Sequence, residues 1–137
     1  MFFDSNVLID VLSQDPIWSG WSSEQLARAD KIGGGAINII VVAELSPGYD
    51  SVEELRKVLQ PLSLRVIDVA EDAAFEAGRA FGRWRRTRSV DAGRRVLADF
   101  LIGAHATALR LPLVTRDPTI YRRIFPDLPL ITPETHP

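Results

Sequence analysis

Hydrophobic and polar positions change period several times along the chain, and each change predicts a new element. MFFD predicts a short buried strand, and SNVLIDVLS predicts a helix that stops near Asp15-Pro16. SGWSSEQLARADKIGGG predicts a second helix with a candidate capping box from Ser22 to Gln25, ending at a glycine turn. AINIIVV is β-branched and apolar throughout, the pattern of a strand buried on both faces. A helical piece follows from about Val52 to Leu59, limited by Pro61, and LRVIDVA predicts a third strand. In EDAAFEAGRAFGRWRRTR, Ala74, Ala77, Phe81 and Trp84 recur at helical spacing as one apolar stripe, and Arg79, Arg83 and Arg86 recur on another face. LADFLIGAHATALRL predicts an almost wholly apolar, central helix. LPLVTRD predicts a fourth strand, PTIYRRIFP a short helix and LPLIT an edge strand. Strands alternating with helices predict a mostly parallel sheet with helices on both faces, a three-layer α/β fold. No repeat, low-complexity tract or linker divides the chain, so a single domain over 1–137 is expected.

Composition narrows the chemistry. The hydrophobic share of 46% is that of an ordinary globular protein, and the absence of cysteine removes disulfides and thiolate metal sites. Asp4 and Asp10 interrupt any signal-peptide core, and the stretch Ile32 to Ala43 is too short to span a bilayer. A soluble, cytoplasmic chain is expected. The net charge of −2 is unevenly spread: seven of the fourteen arginines lie between Arg79 and Arg95, opposed only by Asp91. A cationic stretch on an acidic body predicts a polyanion handled at one place.

Four acids stand where the pattern changes. Asp4 and Asp117 close predicted strands, Glu44 opens the element after the second strand, and Asp99 lies near the start of the apolar helix. Ligands of an open parallel sheet gather beyond the carboxyl ends of its strands, so four distant segments can bring these acids together. Clustered carboxylates raise one another's pKa, a cost that a divalent cation removes. Oxygen-only donors point to Mg²⁺ or Mn²⁺ rather than zinc, and such ions activate water and clamp a phosphodiester. Each acid also has a structural reading. Asp4 fits a helix N-cap, Glu44 a first-turn helix acid, Asp117-Pro118 a turn, and Asp99 a cap at the start of a segment with little polar surface.

These segments resemble the PIN-domain nucleases and, within them, the VapC-type toxins of toxin–antitoxin pairs. FDSNVLID resembles the family's opening acidic motif and VVAEL the segment that presents its glutamate. LADFLIGAHATALRLPLVTRDPTIYRRIFPDLPLITP resembles its closing third. The resemblance implies a metal-dependent endoribonuclease, with Asp4, Glu44, Asp99 and Asp117 at the acidic ligand positions. It places Asn6 and Thr115 as polar neighbours that orient ligands or water. It also implies a homodimer and a small antitoxin whose tail fills the active-site groove. Ser5 stands where threonine is common, and Gly103 where alanine is usual.

The arginine run offers RNA-phosphate contacts through Arg83, Arg86, Arg94 and Arg95, or else a solvated face or salt bridges to the acidic body or an antitoxin. Trp84 suits core packing better than base stacking, and His105, six residues after Asp99, suits a hydrogen-bonded packing role. Trp18 and Trp21, with Leu26 and Ala29, fit either a partner surface or the core. Gly33 to Gly35 read as a turn, since no phosphate-loop lysine follows. A catalytically silent PIN-like module that binds RNA or acts as a regulator is the alternative of another class. An aspartyl phosphotransfer or receiver domain is more distant, since VTRD lacks a lysine and DSN a second aspartate.

Overall fold

The computed structural model describes residues 1–87 and 97–137. Its centre is a five-stranded sheet, all parallel, in the order β3-β2-β1-β4-β5. The strands are β1 (Phe2–Phe3), β2 (Gly35–Asn38), β3 (Leu64–Ile67), β4 (Leu113–Val114) and β5 (Leu130–Ile131). Helices α1 (Ser5–Leu12) and α2 (Ser19–Lys31) connect β1 to β2, and α3 (Ile39–Leu45) and α4 (Val52–Leu59) connect β2 to β3. Helices α5 (Glu71–Arg85) and α6 (Leu97–Ala108) carry the chain from the β3 edge back to β4, and α7 (Thr119–Ile124) leads to β5. The expected three-layer α/β arrangement holds, and no described helix is long and apolar enough to cross a membrane.

Phe2, Phe3, Ile37, Leu113 and Val114 are inaccessible to solvent because β1, β2 and β4 are covered on both faces. Edge strand β3 is half exposed by contrast, with Val66 at 50%. A second apolar cluster joins Ala77, Ala80 and Trp84 of α5 to Phe100 and Ala104 of α6. Trp84 is therefore a core residue, as its stripe implies. The stripe itself is shifted: Ala73, Ala77, Ala80 and Trp84 are buried, while Ala74 is exposed and Phe81 half-buried.

Two further expectations need correction. The run AINIIVV is not one strand, since β2 ends at Asn38 and Ile39 to Leu45 are helical. The Asn38 side-chain oxygen accepts from the Ile40 and Val41 amides, each at 3.1 Å, and this N-cap ends the strand despite the β-branched sequence. Ser22 and Gln25 form no capping box, because α2 already begins at Ser19. The Asp15 carboxylate takes the Ile17 and Trp18 amides instead, each at 2.8 Å. Ser22 lies inside the helix and donates to Asp10 at 3.0 Å. The glycine turn is as expected, with Gly33 and Gly34 at φ of 100° and 96°.

Candidate metal centre

The chain leaves β1 in one direction to reach β2 and enters β4 on β1's other side, so the crevice between β1 and β4 is the switch point of the sheet. Asp4 stands at its mouth. It caps α1 with φ −74° and ψ 151° and is 3% exposed. Its Oδ1 accepts the Ser5 amide at 2.8 Å and, more weakly, the Ser5 hydroxyl at 3.4 Å. Its Oδ2 accepts the Asn6 side-chain amide, Nδ2, at 2.7 Å and the Thr115 hydroxyl at 2.8 Å. The cap and the candidate ligand are thus one residue, and neither reading excludes the other.

Thr115 is inaccessible to solvent and ties the crevice together. Its hydroxyl also accepts from the Asn6 side-chain amide and the Asp117 backbone amide, each at 3.1 Å. Asn6 Oδ1 accepts the Arg116 amide at 3.3 Å. Register brings this about: Phe3 pairs with Val114, so the residues just after each strand, Asp4 and Thr115, become neighbours. Behind them the buried Asp10 holds Arg116, Nε to Oδ2 at 3.0 Å, and the Arg116 guanidinium lies 6.0 Å from the Trp18 ring centroid.

The other three acids ring this crevice. Asp99 is the third residue of α6 and half-buried, with the Tyr121 hydroxyl as the donor near it. Glu44 is exposed and is the sixth residue of seven in α3, which corrects its expected place at the start of an element. There the helix dipole disfavours an anion, so the first-turn reading of Glu44 falls away. Asp117 is exposed in the turn between β4 and α7.

Electrostatics show how near these groups stand. Burial pushes the Asp4 carboxyl up to about 6, the Glu44 charge adds to the rise, and the donors from Thr115 and Ser5 offset only part of it. Asp99 is pushed up to about 7 by burial and then by the charges of Asp4, Glu44 and Asp117. Among the described residues none of the four forms an ion pair. Nor do any three Asp, Glu or His side chains among those residues converge closely enough to hold one ion between them. The cluster is an acidic basin rather than a closed cage, as expected of like charges with two members free to stand in water. Its donor chemistry, oxygen alone and rich in carboxylate, fits a hard divalent cation.

Tyr121 of α7 was not legible as a site residue. It is 1% exposed, and its hydroxyl lies near enough to Asp4 and Asp99 to hold both carboxyls down, yet no protein acceptor stands in hydrogen-bonding geometry to it. His105 packs edge-on against Phe2, with ring centroids 5.4 Å apart. Its Nδ1 lies 3.3 Å from the Asn38 amide nitrogen, and burial lowers its pKa, so it serves packing.

Arg83 and Arg86 are exposed at the end of α5, where with Arg79, Phe75 and two glycines they line a surface cleft of about 480 Å³. Arg94 and Arg95 lie outside the described residues.

A family model for the PIN domain matches residues 1–125. Among solved structures, the chain is similar to one of VapBC2 from Rickettsia felis bound to a fragment of promoter DNA. The TM-score is 0.70 and the identity 24%, over 96% of each chain. It is also similar to a toxin–antitoxin complex from Klebsiella pneumoniae (TM-score 0.64, 23% identity, 96% of each chain). FitAcB from Neisseria gonorrhoeae gives a TM-score of 0.68 at 20% identity over 97% of each chain. At these identities the likeness is one of fold. No curated protein sequence matches the chain.

Proposed function

Because the chain belongs to the PIN domain family, we propose that it is a metal-dependent endoribonuclease, the toxin of a toxin–antitoxin pair, acting as one unit over 1–137. The observation that carries this reading is the raised pair Asp4 and Asp99: acids from separate segments press on one another with no described cation to relieve them. Asp4, Glu44, Asp99 and Asp117 would hold Mg²⁺ or Mn²⁺. A bound dication of this kind polarises a phosphoryl oxygen and lowers the pKa of water, the two needs of phosphodiester hydrolysis.

The chain's own residues do the rest. Thr115 and Asn6 fix the orientation of the Asp4 carboxylate through bonds of 2.8 and 2.7 Å. Glu44 and Asp117 are exposed at the rim, where Asp117 Oδ1 accepts only the Thr119 amide at 3.4 Å, and both would turn inward to the cation. Arg83 and Arg86, with Arg94 and Arg95, would take RNA phosphates and so steer the strand toward the acids. The description of one neighbour as a toxin–antitoxin complex supports an antitoxin partner. The proposal further takes the chain to be a cytoplasmic homodimer.

Cleavage of labelled total RNA and tRNA with Mg²⁺, Mn²⁺ or EDTA tests the proposal, beside the Asp99→Asn protein. Discrete fragments lost with EDTA and with the variant are expected. The open arrangement of the acids favours one competing reading, a silent module that binds RNA. Bound RNA that never shortens in the presence of metal would establish it.

A further inference from the structure

Two groups beside the basin lack partners that their burial calls for. The Tyr121 ring is part of the main core and its hydroxyl has no protein acceptor. The Asp99 carboxylate, half-buried on the facing helix α6, lies near that hydroxyl and has no described donor in hydrogen-bonding geometry. Leaving a buried hydroxyl unpaired costs about 1–3 kcal/mol, and an unpaired carboxylate costs more. The hydroxyl lies close to both the Asp4 and the Asp99 carboxyls. Asp4 already accepts from Ser5, Asn6 and Thr115, so Asp99 is the acceptor with more room for a further donor.

We propose that Tyr121 is a positioning residue of the metal centre, whose hydroxyl donates to the Asp99 carboxylate when Asp99 turns inward to share a cation with Asp4. One side-chain rotation then pairs both groups and converts the open basin into a ligand set. The inference rests on the metal-dependent reading above and assigns a residue to it. Tyr121 acts through Asp99 and touches neither substrate nor metal.

Tyr121→Phe tests it, since the ring stays in the core and only the hydroxyl is lost. The metal-free melting temperature and the Mn²⁺ affinity by titration calorimetry are measured on the full chain. The expected result is an unchanged or slightly raised melting temperature, because the hydroxyl is unpaired in that state, with Mn²⁺ affinity about 10–100-fold weaker. Unchanged Mn²⁺ affinity overturns the assignment. So does a loss of affinity matched by a lower metal-free melting temperature, which would mark a packing defect. Wild-type protein that binds no Mn²⁺ would overturn the proposed function itself, so the two failures are distinguishable.

Discussion

Replacing Asp99 by Asn should make the metal-free protein more stable, and only at neutral pH and above. The Asp99 carboxyl titrates near 7 in the fold against 3.8 unfolded. Below the unfolded value both states are protonated and the residue contributes nothing. As pH rises through the interval the folded state keeps a proton that the unfolded state has released, so stability falls, and the full cost is present above 7. Three pKa units correspond to about 4 kcal/mol, which partial exposure of the side chain reduces to roughly 2. Losing a first-turn acid at the α6 N-terminus subtracts about 0.5 kcal/mol from the gain. A net gain of about 1.5 kcal/mol shifts the melting temperature by roughly 5 °C in a chain of this size. Thermal melts of both proteins at pH 5 and pH 8, with EDTA, read this directly. The gap should open as pH rises, and millimolar Mn²⁺ should raise the wild type while leaving the variant nearly unmoved. A variant less stable than wild type at pH 8 without metal, or a gap independent of pH, would refute the electrostatic account.

Other regions of the fold give sharper stability predictions. A Cβ on Gly103 would run into the Phe125 ring, so Gly103→Ala should destabilise by about 1–2 kcal/mol despite its better helix propensity. Phe125→Leu in the same chain should recover part of that in a denaturant titration. The Gln25 side chain is fully buried with neither amide atom bonded, so Gln25→Leu should raise the melting temperature, by about 1 kcal/mol in stability. Arg116→Ala strands the buried Asp10 with only Ser22 as donor and should cost about 2–3 kcal/mol in chemical denaturation. Arg116→Lys should not restore it fully, since the Nε contact and the stacking on Trp18 are lost.

Elements bounded by strong local signals were legible in the sequence. Helix α4 runs from Val52 to Leu59 as the pattern predicts, because Ser51 caps it at one end and Pro61 limits it at the other. Strands β1, β4 and β5 fall inside the expected apolar runs. Misreadings arise where tertiary context decided. Asn38, the one polar residue in AINIIVV, is a cap that outweighs five β-branched residues, and it moves Glu44 from the start of a helix to its end. Helix α5 is rich in alanine, and alanines give periodicity little weight, so the stripe was placed one residue out at Ala74 and Phe81. The four acids stood out as candidates because each was expected to follow or open an element, an expectation that Glu44, at the end of α3, does not meet. Tyr121 did not stand out, since a tyrosine in an amphipathic turn reads as ordinary packing. The one signal in the sequence is its position, four residues past Asp117, in the short helix that follows β4.

The central claim is that Asp4, Glu44, Asp99 and Asp117 together hold one hard cation, or one pair of them. Calorimetric titration of Mn²⁺ into the metal-free protein tests this directly, on the wild type and on the four single carboxylate-to-amide variants. The account predicts saturable binding by the wild type that weakens at least about tenfold in every variant while each stays folded. Wild-type affinity retained in Glu44→Gln and Asp117→Asn would show that the rim acids take no part, and the four-carboxylate centre would be wrong.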